Sequence, residues 1–413
     1  MIARRTVLAA GLATPFVARA QGSARVAIVG GGFGGASAAR ALRQYAPTLD
    51  VTLIEANETF VACPFSNLVI AGARPIEAQQ FGYRALAAEG IRVVHAEAIG
   101  VDTKRVTLSN GSTVPYDRLI LSPGIDIAWG ALPGYDEAAN TRMPHAWKAG
   151  AQTVLLRKQL EAMPDGGTVV MSVPPNPYRC PPGPYERASL IAWYLRGAKP
   201  KSKLLVLDSK DAFSKQKLFQ AGWAALYPDI LEWVSQSNGG TVTGVDPGTM
   251  TIKTDFGSHK ADVANIIPPQ KAGRIAAIAG VADKTGWCPI DPVTFESRSI
   301  PGIHVIGDAA IAGAMPKSAF AANAQAKVCA LAVARLLDGG TPDEPILINT
   351  CYSLLAQGYG VSVAGVYRPA NGVLAEIPGS GGTSPLDATN AFRYQEAAHA
   401  DAWFKTITYE AFG

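Results

Sequence analysis

The sequence predicts an α/β protein with two Rossmann-like dinucleotide-binding domains, the first discontinuous, and a small C-terminal domain. Three observations predict it. Val26-Ala27-Ile28-Val29 runs into Gly30-Gly31-Gly32-Phe33-Gly34-Gly35, a strand entering a Gly-x-Gly-x-x-Gly turn. A second apolar strand, 168–173, leads through a turn and a helix to a further strand ending at Asp208. A short apolar strand, Ile303 to Ile306, then returns far downstream and ends at Gly307-Asp308. Alternating strands and helices argue for parallel sheets with crossover helices. A chain of 413 residues exceeds one ordinary core.

Apolar content of 48% with 17% charged residues excludes a disordered or fibrous chain. Arg4-Arg5, the apolar run from Val7 to Val17 and Ala18-Arg19-Ala20 read as a signal peptide over 1–20. The run is too short for a mature membrane anchor. Arg4-Arg5-Thr6-Val7-Leu8 looks like a twin-arginine signal, a route suited to a protein folded around its cofactor before export. The expected location is the periplasm. Losing Arg4, Arg5 and Arg19 from 37 basic residues leaves 34 against 33 acidic ones, so charge suggests no nucleic-acid partner. The five histidines show no ligand spacing, and a metal site has little support.

The elements follow in order. Residues 24–56 form a β-α-β unit whose second strand closes at Glu55. Asp117 to Gly124 is another strand running into a turn, followed by a Gly- and Pro-rich linker to about 145. A helix over about 150–162, the strand 168–173, a helix 184–196 and the strand 204–208 make the second unit. Pro316-Lys317-Ser318 opens a helix from Ala319 to Leu336. The expected domains are 24–148 with 262–345 for the first dinucleotide, 149–261 for the second unit, and 346–413 as a C-terminal interface domain.

In the first unit Gly30 permits the turn, Gly32 lets backbone approach a pyrophosphate, and Gly35 lets helix and strand pack closely. The helix N-terminus suits phosphate, and Glu55 suits ribose hydroxyls. The strand ending at Asp308 resembles the second FAD motif of two-dinucleotide-domain flavoproteins, where the aspartate binds near the ribityl chain. FAD is therefore the expected cofactor. The helix after Ser318, with Lys317, would favour negative charge on the flavin.

The second unit lacks a glycine loop. Pro174, Pro175 and Pro177 fix φ and lack N–H groups, so they cannot cradle a second pyrophosphate. NADH or NADPH is an unexpected donor, and the domain reads as NAD-like without its loop. Cys180 sits there among prolines, where a helix N-terminus and Arg179 or Arg187 would stabilise a thiolate. Glu186 in the first helical turn could handle a proton, or merely suit that helix end. Cys351 is the other thiol worth pairing, while Cys329 in an apolar helix reads as core. No Cys-x-x-Cys-His occurs, so haem c is not attached to this chain.

These residues resemble the flavoprotein subunit of flavocytochrome c sulfide dehydrogenase. The likeness is specific at 179–187, at Gly286-Trp287-Cys288-Pro289, at 302–308, at Asn349-Thr350-Cys351-Tyr352 and at Phe412-Gly413. It implies a redox-active disulfide between Cys180 and Cys351, Glu186 as an acid–base group and Trp403 near the active site. It implies FAD attached through Cys63 to the flavin 8α carbon, although Pro64-Phe65 departs from the tyrosine-containing family pattern. The implied function is oxidation of hydrogen sulfide to sulfur or polysulfide: hydrosulfide opens the disulfide, and electrons pass through FAD to a separate c-type cytochrome subunit. One alternative is a sulfide:quinone oxidoreductase, which should expose an apolar C-terminal helix, unlike the mixed tail 392–403. A second is a redox-silent exported flavoprotein serving binding or assembly.

Overall fold

The computed structural model describes residues 23–413, so the expected export signal lies outside the described residues. Five parallel strands form the first sheet, in the order Ile303–Val305, Arg118–Leu121, Arg25–Val29, Asp50–Glu55, Arg92–His95. The strand at 303–305 thus completes a sheet begun almost three hundred residues earlier. Its side chains, like those of Val26 to Val29, are buried on both faces, as the helix-covered strands of a parallel sheet require.

A second parallel sheet has the order Leu231–Val234, Lys203–Asp208, Thr168–Val173, Val263–Ile266. Its crossover helix, Gly183–Ala198, carries Pro184 in its first turn. The linker after residue 123 is more ordered than its composition suggests: Ile125–Ile127 pairs antiparallel with Gln270–Ala272. That ribbon joins the two sheet regions.

Beyond residue 346 the chain forms an antiparallel sheet of Leu347–Ala356, Tyr359–Ala370 and Val373–Glu376, edged by Gly382–Thr383. The helix Asn390–Phe412 closes the chain, and Thr389 caps it by accepting from the Phe392 N–H. Phe404, Ile407 and Phe412 of this helix are buried. Phe412 packs on Phe33 of the glycine turn and on Phe60 and Phe81, with centroids 5.7, 5.2 and 5.3 Å away. The C-terminus is thereby latched to the start of the first domain.

Candidate active site

The glycine turn is set by close backbone contact. Gly30 has φ +96°, and a Cβ at Gly35 would lie 1.8 Å from the Gly30 carbonyl oxygen. Gly32 precedes the helix Phe33–Tyr45, and Gly32, Phe33 and Gly34 line the floor of a cleft. Glu55 ends its strand as expected. Its carboxylate accepts from the Gly31 N–H at 2.7 Å and from Asn57 at 2.9 and 3.0 Å, so it also braces the turn.

The cleft runs from this turn to the cysteines. Cys63, Cys180, Cys351, Glu186, Asp308 and Trp403 all line it, drawn from five distant stretches of sequence. The helix Ala319–Leu337 points its N-terminus into the same cleft through Ser318, Ala319 and Phe320. Ser318 Oγ accepts from the Ala321 N–H at 3.0 Å and donates to Asn349 Oδ1 at 2.6 Å. Trp403 stands beside Phe320 and Tyr352, each with a centroid 6.3 Å away.

Lys317 differs from expectation. It is absent from the cleft lining; its ammonium donates to the Asp308 and Ala310 carbonyls, both at 2.8 Å, and lies 4.0 Å from the Trp287 ring centroid. Burial lowers its pKa to about 8. Two carbonyls and an aromatic face were nearer partners than the cleft.

Cys180 and Cys351 are free cysteines that line the same cleft. The sequence placed the thiolate at Cys180, but the asymmetry runs the other way. The neighbouring Cys351, with burial, pushes the Cys180 thiol well up. The neighbouring Cys180 thiol, and then Lys215, bring Cys351 down to about 7 against burial. Cys180 also lies before the helix, which begins at Gly183, and its backbone is left-handed at φ +58°.

Neither expected arginine is free to serve Cys180 fully. Arg187 is buried and donates to the His145 and Ala146 carbonyls at 2.9 and 2.6 Å, to Asn67 at 3.0 Å and to Asn265 at 3.1 Å. Arg179 donates to the Trp147 carbonyl and lies 3.9 Å from Asp308.

Glu186 is in place. One oxygen accepts from the Leu354 N–H at 2.9 Å and the other from the Asn67 amide at 2.8 Å. Burial raises its pKa, with those two hydrogen bonds opposing. Asn67 and Lys215 escaped sequence reading. Asn67 follows Cys63 by four residues, a spacing that could have drawn attention; Lys215 carried no signal.

The residues fit FAD. Two buried polar atoms of the lining lack a partner among the described residues, the acceptor Asp308 Oδ1 and the donor Trp147 Nε1. The glycine turn supplies a phosphate cradle at the other end. Cys63 Sγ lies 3.8 Å from the Trp147 carbonyl oxygen, and Cys63 lines the same cleft.

Known proteins agree. The family model for the central part of the sulfide dehydrogenase (flavocytochrome c) flavoprotein chain matches residues 153–268, and that for its flavin-binding part matches 343–412. The pyridine nucleotide-disulphide oxidoreductase model matches 24–156. The flavocytochrome c sulfide dehydrogenase flavoprotein chain of Chlorobaculum thiosulfatiphilum is 58% identical over 48 residues, which is 12% of this chain and all of that sequence. Mouse mitochondrial sulfide:quinone oxidoreductase is 21% identical over 305 residues, 68% of this chain and 65% of that protein. In fold, the chain is similar to the sulfide:quinone oxidoreductase of Aquifex aeolicus, with TM-score 0.74, 18% identity and coverage of 94% of this chain and 92% of that one. The chain is an FAD-binding oxidoreductase and belongs to the family of flavocytochrome c sulfide dehydrogenase flavoprotein chains.

Proposed function

We propose that the chain oxidises hydrogen sulfide at the Cys180–Cys351 pair and passes the electrons through FAD to a c-type cytochrome subunit, in the periplasm after twin-arginine export. One observation carries the reading. Cys180 and Cys351, distant in sequence, line the one cleft that also holds the glycine turn, Glu186 and Asp308. A pair so placed can cycle between dithiol and disulfide, and a thiolate opens a disulfide by attack on sulfur.

FAD, when bound, supplies acceptance of an electron pair and its release one electron at a time. The chain's residues prepare for this. The glycine turn would hold the pyrophosphate, and Asp308 Oδ1 would accept from the ribityl hydroxyls. Cys63 would be the attachment point at the flavin 8α carbon. Trp403, Phe320 and Tyr352 wall the cleft with aromatic surface and exclude water. Glu186, raised by burial, takes and returns the proton exchanged at the sulfurs. The products are sulfur or polysulfide.

A quinone acceptor is the competing reading, favoured by the likeness to sulfide:quinone oxidoreductases. The family likeness favours the cytochrome instead; the C-terminal helix buries Phe404, Ile407 and Phe412 but exposes Phe392, Tyr394 and Tyr409, so it does not separate the two acceptors. The deciding experiment is steady-state sulfide oxidation by the purified flavin-loaded protein with either acceptor. Reduction of a c-type cytochrome without turnover of a soluble quinone is the expected result. Quinone turnover with an idle cytochrome would reverse the assignment.

A further inference from the structure

Seven non-glycine residues among those described have a left-handed backbone, and Phe65, Cys180 and Lys215 are three of them. Phe65 and Cys180 line the cleft. Such strain persists where surrounding contacts over-determine it, and it concentrates at functional sites. Lys215, at φ +63°, precedes the helix Gln216–Leu226 and is buried. Its ammonium donates to the Cys351 carbonyl at 2.9 Å and to Ser353 Oγ at 2.8 Å. Both acceptors are neutral, so the positive charge has no carboxylate in contact.

We propose that Lys215 is a positioning residue of the cysteine pair, its charge making Cys351 the sulfur that leaves as thiolate when sulfide opens the disulfide. This rests on the sulfide reading above. Hydrosulfide attacks Cys180 Sγ and forms a new S–S bond there. The Cys180–Cys351 bond breaks, its electron pair stays on Cys351, and the proton remains on the Cys180 persulfide. The incoming sulfur is oxidised and Cys351 is reduced; the outer persulfide sulfur would leave to a second hydrosulfide as HSSH, freeing the Cys180 thiolate, and bound FAD would supply the two-electron oxidation that rejoins the two thiolates. The groups facing Cys351 are the Cys180 thiol from its loop, Glu186 from the crossover helix, Tyr367 from the adjoining strand and Lys215. Lys215 is the one cation among them. Glu186 acts against the thiolate, and Arg179 acts on Cys180 instead.

The test is alkylation of the reduced, flavin-loaded protein with iodoacetamide across pH, with Cys351 modification followed by peptide mass spectrometry. No sulfide is needed, so a failure here is distinguishable from failure of the sulfide reading. Half-maximal rate near pH 7 is expected for the native chain. Lys215→Met should raise that midpoint by about 1 unit or more, and Lys215→Arg should restore it. If Lys215→Met loses flavin, Lys215→Gln keeps an N–H donor without the charge and should show the same rise. An unmoved midpoint in the Met or Gln variant overturns the proposal.

Discussion

At the scale of single residues, the cysteine pair shows how partners outweigh local sequence. Cys180 stands before a helix and beside arginines, and those neighbours suggest a thiolate. The fold commits Arg187 to two carbonyls and two asparagines, and it sets Lys215 beside Cys351. The Cys180 neighbour first, and Lys215 after it, make Cys351 the low thiol. Its folded pKa is depressed, so its thiolate stabilises the reduced protein above the unfolded thiol range of about 8.5. That contribution fades as pH falls through about 7. The thermal midpoint of the reduced protein should rise between pH 7 and pH 9 by more in the native chain than in Cys351→Ser; equal rises would remove the thiolate from the explanation. Glu186→Gln removes the ionisable proton and keeps only one of the two acceptor oxygens that serve Leu354 and Asn67. Its sulfide turnover should fall by roughly 100-fold with flavin content unchanged, as stopped-flow absorbance would record.

At the scale of elements, the second parallel sheet argues against NADH as a donor. A nucleotide would bind beyond the carboxyl ends of its strands. There Asp208 is buried and accepts from Tyr185 at 2.6 Å, Trp233 at 3.0 Å and Lys210 at 2.6 Å. Lys210 also donates to the Pro174 carbonyl at 2.9 Å, and Phe213 stacks on Tyr185 with centroids 3.6 Å apart. The crevice is filled by protein as well as stripped of glycines. Millimolar NADH should leave the flavin absorbance unchanged under anaerobic conditions; bleaching by NADH would show that the plug opens. The prolines at 174, 175 and 177 made half of this legible, because their missing N–H groups are a property of composition. The ion pair and aromatic stack were not legible, since they depend on which side chains the sheet brings together. The C-terminal helix offers a second test. Phe412→Ala removes a ring packed against Phe33, Phe60 and Phe81, and should cost about 3 kcal/mol in denaturant unfolding. Weaker flavin retention should accompany it, because Phe33 belongs to the cleft lining.

At the scale of the whole molecule, the backbone plan was readable because strand and helix periodicities are local. The 25–29, 50–55, 118–121 and 168–173 strands all fall where apolar runs meet turn residues. The return of 303–305 into the first sheet was also readable, from the Gly-Asp that ends it. The site was readable by residue type at Cys180, Glu186, Asp308 and Cys351 and only through the family resemblance at Cys63 and Trp403; one cleft brings all six together. What stayed hidden was pairing over long sequence distance: Asn67 on Glu186, Lys215 on Cys351, and Lys317 drawn away to carbonyls. Thiol chemistry on FAD remains the reading on which the rest depends. Anaerobic titration of the flavin-loaded protein with sulfide, following flavin absorbance beside Cys180→Ser and Cys351→Ser, tests it most directly. Rapid bleaching in the native chain, lost in both variants, is the predicted result. Bleaching that persists in either variant, or a flavin indifferent to sulfide, would contradict it.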